Sequence, residues 1–355
     1  MSSNTKLSDI GEFSLLEQVV LPTLGNSKGV TSLGDDCAFI KLPSGQHELV
    51  VTTDVAPQPL SWHLGYRSYH TWGWYAVMIN VSDLAAAGAS PLAITTSMEA
   101  PSDMLVSDFK EFFEGIADAS QEHNIANAGG NIRARSAFAC HGTAIGTISS
   151  GARLRRNGAQ PGDIIVSIGQ CGRFASAYLR AKQSGFDSLS IDEQAILVRP
   201  VARIREMQLL HSRGLVNAAS DNSDGVLGAV WNIAERSKCT IEIDMLPVAL
   251  PDNVIKVASE FGYDPWNLMF FWGDWQVIAS VPLARSDEFW RTSKEYSIPV
   301  QHLGHVREGP PRLLGLIEGR KHSLRLLRNE NFIKSSFNIN VEEHVESMLK
   351  SQLWT

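Results

Sequence analysis

The stretch SYHTWGWYAVMINVSDLAAAGA, residues 68–89, constrains the fold more than any other. Its pattern predicts a helix ending in small residues and closed by Gly88 and Pro91. The helix is so apolar that nearly all its faces must be covered by the rest of the chain. One acid, Asp83, sits inside it. A buried carboxylate without a partner is costly, and Lys and Arg are scarce beside it.

Three further stretches put carboxylates in comparable places: GDD at 34–36, TTD at 52–54 and SDNSD at 220–224. In TTD the acid ends a β-branched run, HELVVTTD, that reads as a buried strand. Taken singly, each acid has a plainer reading. Asp36 and Asp54 could cap turns, Asp83 could bond to nearby amides, and Asp221 and Asp224 could cap a helix beginning near Val226. Taken together they are better explained as one metal–phosphate site. A hard divalent cation such as Mg²⁺ prefers oxygen ligands and keeps waters while binding substrate phosphates.

A length of 355 residues suits two domains. The Gly- and Ser-rich stretch TISSGARLRRNGAQPGD, 147–163, is the best boundary. It separates an N-terminal domain, residues 1–150, from a C-terminal domain, 151–328, and a helical tail, 329–355. A helix is expected over 11–24, broken near GNSKG at 25–29, and a strongly amphipathic one over 102–124. Strands are expected at 34–42, 47–54, 91–100, 137–149, 163–169, 240–248, 275–282 and 300–309. Strands and helices alternate without a strict βαβ rhythm, so the expected class is α+β or mixed α/β.

A net charge of −7 argues against a nucleic-acid or anionic-membrane partner held by a basic surface. RLRR, 153–156, is a candidate local anion site. The four cysteines show no metal or disulfide spacing and read as reduced cytoplasmic thiols. The N-terminus lacks a signal-peptide core, and no apolar run approaches membrane-span length. GxxxxGK[ST], a strand-borne GxGxxG, the kinase HRD and DFG sets, HExxH and GxSxG are all absent.

GEFSLL, GDDCAF, TTD, INVSDLAAAGASP, the glycines at 129–130, RRNGAQPGD, GQCG at 169–172 and SDNSDGV occur in the order seen in thiamine-monophosphate kinases. The chain resembles that family, within the aminoimidazole-ribonucleotide synthetase superfamily, over residues 8–310. The resemblance implies an N-terminal sheet domain that pairs with a second subunit and a C-terminal α+β domain. It implies ATP between the two, held through Mg²⁺. It places Asp35, Asp36, Asp54, Asp83, Asp221 and Asp224 at the metal and Asp35, Gly129, Gly130, Asn131, Arg156 and Ser223 at the nucleotide. Asp54, Asp224 and Arg156 are the expected catalytic residues.

Asn131 stands where the family has Asp; it can still offer a carbonyl oxygen but supplies less charge to a metal. The other departures from the family gather on the acceptor side. Trp272-Gly273-Asp274-Trp275-Gln276-Val277 replaces Gly-Glu-Asp-Tyr-Glu-Leu, residues 55–66 replace the family loop, and Tyr75 replaces a lysine. Trp62, His63, Tyr75, Trp272, Asp274 and Trp275 are therefore expected at the acceptor, with aromatic surface in place of charge. The expected activity is Mg²⁺-dependent phosphoryl transfer from ATP to a small molecule other than thiamine monophosphate. A superfamily-type cyclase or ligase and a non-catalytic nucleotide-binding homologue are the alternatives.

Overall fold

The computed structural model describes residues 6–24, 30–31, 34–246, 249–332 and 340–354. The expected helix break at 25–29, the last two residues of the strand expected at 240–248, and part of the tail lie outside these.

Two mixed sheets carry the chain. The first joins β1 (Val30–Thr31), β2 (Ala38–Lys41), β3 (His47–Val55), β4 (Ser90–Ala100), β5 (Ala126–Ala134) and β6 (Ala139–Ser149) in the order β1-β2-β3-β6-β4-β5. Only β4 and β5 run parallel, and the helix Val106–Glu122 makes the crossover between them. The second sheet joins β7 (Ile164–Ile168), β8 (Ala218–Asp221), β9 (Thr240–Asp244), β10 (Val277–Val281), β11 (Val300–Arg307), β12 (Arg312–Ile317) and β13 (Arg320–Ser323). Their order is β13-β12-β9-β11-β7-β10-β8. The expected mixed α/β architecture in two domains is what forms.

The apolar helix spans Tyr69–Ala86 and is buried from Thr71 onward. Ser68 caps it, accepting a hydrogen bond from the Thr71 amide at 3.2 Å. It lies against β3 and β6 on one side and against β8 and β10 on the other. This answers the demand made by its sequence, because both sheets cover it. Ile164, Val166 and Ile168 of β7 share its core, whereas Ile165 points into a second core. Such alternation along a strand buried on both faces is the signature of a central layer. Glycines let the helix approach its neighbour Val106–Glu122. A Cβ on Gly73 would lie 1.9 Å from the Phe112 carbonyl oxygen, and one on Gly115 2.0 Å from that of His70.

The second core is closed by helices Arg173–Ser184, Val226–Ser237 and Asp252–Phe261, and by the tail helix Val341–Leu349 through Val345, Met348 and Leu349. β5 was not expected from the sequence. Its glycine-rich segment ANAGGNIRA is exposed at every position and has no buried face to leave a period-2 pattern. Among the described residues no helix is long and apolar enough to cross a membrane.

Candidate active site

The covered helix decides where the acids meet. Asp83 lies near its C-terminus, Asp221 ends β8 on one side of it, and Asp36 precedes β2 on the other. Asp36, Asp83 and Asp221 each offer a carboxylate oxygen, and these oxygens lie within 4.8 Å of one another. The Thr52 hydroxyl donates to Asp83 at 2.5 Å, and the Ser223 and Ser82 hydroxyls donate to Asp221 at 3.1 and 3.5 Å. The Asp54 amide donates to the Asn80 side chain at 3.1 Å, which ties the end of β3 to the helix.

The capping reading of SDNSD does not hold. Helix Val226–Ser237 begins at Gly225, φ 91°, with no side-chain cap. Asp221 and Asp224 are left for the cluster. Loss of hydration, then the Asp36 charge, raises the Asp221 pKa well above the ordinary carboxylate value. Loss of hydration, then Asp54 and Asp221, does the same for Asp83. Asp224 is pushed up to about 7, by burial first and then by the charge of Glu12. Asp54 stands at the edge of the group, accessible to solvent, yet reduced hydration and the charges of Glu12 and Asp36 raise it to about 6. Crowded carboxylates that resist ionisation together, with oxygen donors only, fit a hard divalent cation.

Arg156 is the cation on hand. Its guanidinium donates to Asp36 at 2.6 and 3.2 Å and to the Gly34 carbonyl at 3.2 Å. Burial opposes its charge, but Asp36, Asp221 and Asp83 hold it protonated. Asp35 corrects the expected metal set. Its carboxylate accepts from Arg155 at 2.7 Å and from the Arg156 amide at 3.2 Å, so it positions the arginines and stays out of the three-carboxylate group.

Gly129, Gly130 and Asn131 also depart from expectation. The ladders align Val55, His141, Ser97 and Asn131 across β3, β6, β4 and β5. Asn131 is thus three strands from β3, about 14 Å away at normal strand spacing. It lies on the face opposite Thr52 and Asp54. There it lines a depression of about 470 Å³ with Thr53, Ser97, His141 and Thr143. The glycines serve the strand. Gly129 has φ 90°, and a Cβ on Gly130 would lie 1.9 Å from the Thr96 carbonyl oxygen at a register shift.

Three of the four aromatic residues expected at the acceptor, Tyr75, Trp272 and Trp275, are interior packing, and Trp62 is half-buried. Tyr75 is buried, donates to the Leu197 carbonyl at 3.2 Å and meets Trp275 edge-on at 6.1 Å. Trp272 is buried against Phe271 and His344. Asp274 accepts from the amides of Gly172 and Phe174 at 2.6 and 2.8 Å, so it caps helix Arg173–Ser184. Trp62 donates to the Ser68 carbonyl and packs on Tyr69 and Trp72. His63 is exposed, on the turn Leu60–Leu64, whose Leu60 enters the second core.

Thr52, Asn80, Ser82 and Glu12 escaped the sequence reading. The signals were present: Thr52 shares a strand face with Asp54, and Asn80 stands one helical turn before Asp83.

Two family models, described as the N-terminal and C-terminal domains of AIR synthase related protein, match residues 34–148 and 160–313. The thiamine-monophosphate kinase of Methanospirillum hungatei is 28% identical over 298 residues, covering 83% of this chain and 92% of its own. That of Synechococcus elongatus is 29% identical over 285 residues, covering 77% and 85%. A solved structure described as AaThiL complexed with AMPPCP and TMP superposes with a TM-score of 0.75 at 26% identity, over 92% of this chain and 99% of that one. The HypE-HypF complex shares the fold at a TM-score of 0.69 and 20% identity, over 88% and 99%. Two matched domains meeting at the acidic cluster, and relatives that span nearly the same length, place this chain in the thiamine-monophosphate kinase family of the AIR synthase related proteins.

Proposed function

We propose that the chain is a Mg²⁺-dependent phosphotransferase that moves the γ-phosphoryl group of ATP to a small-molecule acceptor. The convergence of Asp36, Asp83 and Asp221 carries this reading, with Asp54 and Asp224 beside them. These residues would hold Mg²⁺, which supplies neutralisation of the nucleotide phosphates. The chain's own part is positioning. Thr52, Ser82 and Ser223 orient two of the carboxylates, and Asn80 anchors the backbone of Asp54. Arg156 is held by Asp36 where it can turn toward an arriving phosphate. The acceptor oxygen forms the new bond to phosphorus as the bond to the ADP oxygen breaks, so no protein nucleophile is needed.

The relatives make thiamine monophosphate the first acceptor to test. It is expected to be a weak one here. With Tyr75, Trp272 and Trp275 in the interior, the support for this is the 55–66 segment, which docks Leu60 into the second core and stacks Tyr66 on Phe186 at 4.1 Å. The exposed β5 edge is consistent with a homodimer formed through the first sheet.

Steady-state ATP consumption with Mg²⁺ and a panel of phosphorylated heterocycles, thiamine monophosphate included, tests the reading. Asp54→Asn and Asp224→Asn are each expected to lower turnover at least about 100-fold with the fold intact by circular dichroism. Near-normal turnover of both at limiting Mg²⁺ would overturn the assignment. A kcat/KM of about 10⁴ M⁻¹s⁻¹ or more with thiamine monophosphate would overturn only the acceptor expectation.

A further inference from the structure

The second sheet carries a separate group of metal-ligand type. Asp244 is the last residue of β9, and His302 and His305 lie on its neighbour β11. Residues three apart on a regular strand point to opposite faces. Here the register of β11 against β7 shifts between His302 and Gly304, and the extra residue turns both histidines to one face. Glycine is required at the bulge, because a Cβ on Gly304 would lie 1.9 Å from the Glu242 carbonyl oxygen.

The side chains then converge. One Asp244 oxygen is 2.8 Å from His302 Nε2 and 3.5 Å from His305 Nε2, and the imidazole centroids are 5.1 Å apart. All three donor atoms lie within 4.8 Å of one another. A tetrahedral zinc with bonds of about 2.0–2.1 Å needs ligand atoms about 3.3 Å apart, so the two measured separations bracket the requirement. A simple Asp–His ion pair accounts for one histidine and leaves the bulge and the second unexplained. Glu242 next to them is committed to Arg307 and Lys321 and does not compete.

We propose that Asp244, His302 and His305 form a half-buried binding site for a borderline divalent metal of the zinc type, with a coordination position open to solvent. Two imidazoles and one carboxylate select such an ion over Mg²⁺. The site is distinct from the acidic cluster. β11 and β8 are three strands apart in the sheet, about 14 Å at normal spacing. The inference does not depend on the phosphotransferase reading.

The test titrates Co²⁺ and Zn²⁺ into the full-length, chelator-treated protein with saturating Mg²⁺ present. One Co²⁺ per chain is expected to give the intense visible absorption of a four- or five-coordinate site without a thiolate charge-transfer band, since the four cysteines are buried. Zn²⁺ is expected to displace it. His302→Gln and His305→Gln should each weaken binding at least tenfold, and Asp36→Asn should leave it unchanged. No such absorption in the wild-type protein, or a thiolate band, overturns the proposal without recourse to any variant. So does undiminished binding in both histidine variants, or its loss in Asp36→Asn.

Discussion

Gly142 shows how much of the site depends on a missing side chain. It faces Asp54 across the ladder and lies under the buried helix. A Cβ there would stand 2.3 Å from Asn80 Nδ2 and 2.8 Å from the Ala76 carbonyl oxygen. Asn80 holds both groups in register: it donates to Ala76 at 3.0 Å and accepts from the Asp54 amide at 3.1 Å. Gly142→Ala is therefore expected to cost about 1–3 kcal/mol through overpacking and to lower ATP turnover by displacing Asn80 from Asp54. Urea unfolding and steady-state kinetics check the two effects. Wild-type values in both would show that the close approach is relaxed easily and matters to neither.

Between elements, the start of β3 is fixed to the linking segment between the sheets. Glu48 is buried and accepts from Arg153 Nε at 2.5 Å and Nη2 at 2.6 Å. The hydrogen bonds from Arg153 hold its pKa below the ordinary 4.5, against the opposing effect of burial. A folded-state pKa lowered in this way gives stability that is present above the unfolded value and lost as pH falls through the folded one. Glu48→Gln strands the Arg153 charge and should cost about 3 kcal/mol at neutral pH. The variant should also lose less stability than the parent as pH falls below about 4.5. Chemical denaturation at a series of pH values checks this, and parallel acid profiles for the two proteins would refute it.

Across the whole molecule, the two domains of the sequence share one interior. The core around Tyr69–Ala86 takes Phe39, Val50 and Ala144 from the first sheet and Val166, Ala219, Val277 and Ala279 from the second. Removing residues 151–328 would bare Trp74, Tyr75 and the helix face that lies against β8 and β10. The chain is expected to unfold in one calorimetric transition, and a fragment of residues 1–150 to lack fixed tertiary packing. Two resolved transitions, or native-like near-ultraviolet dichroism in the fragment, would show that each sheet domain stands alone.

By itself the sequence determined the helix that must be covered, most strands and the ordered set of acids. Those features are local, set by hydrophobic period and residue type. The aspartates were recognisable because buried charge is expensive and few basic residues stand beside them in the sequence. Only the tertiary structure decided which acids converge. Asp35 and Asp36 are adjacent in sequence, yet one holds Arg155 and the other enters the cluster. Asn131 follows its glycines onto an edge strand, and ladder register puts it on the wrong face for Asp54. Tyr75, Trp272 and Trp275 look like a ligand surface in sequence and are interior in space. The physical reason is the same each time. Strand pairing, sheet face and burial arise from contacts between distant segments, and neither residue type nor local period carries that information.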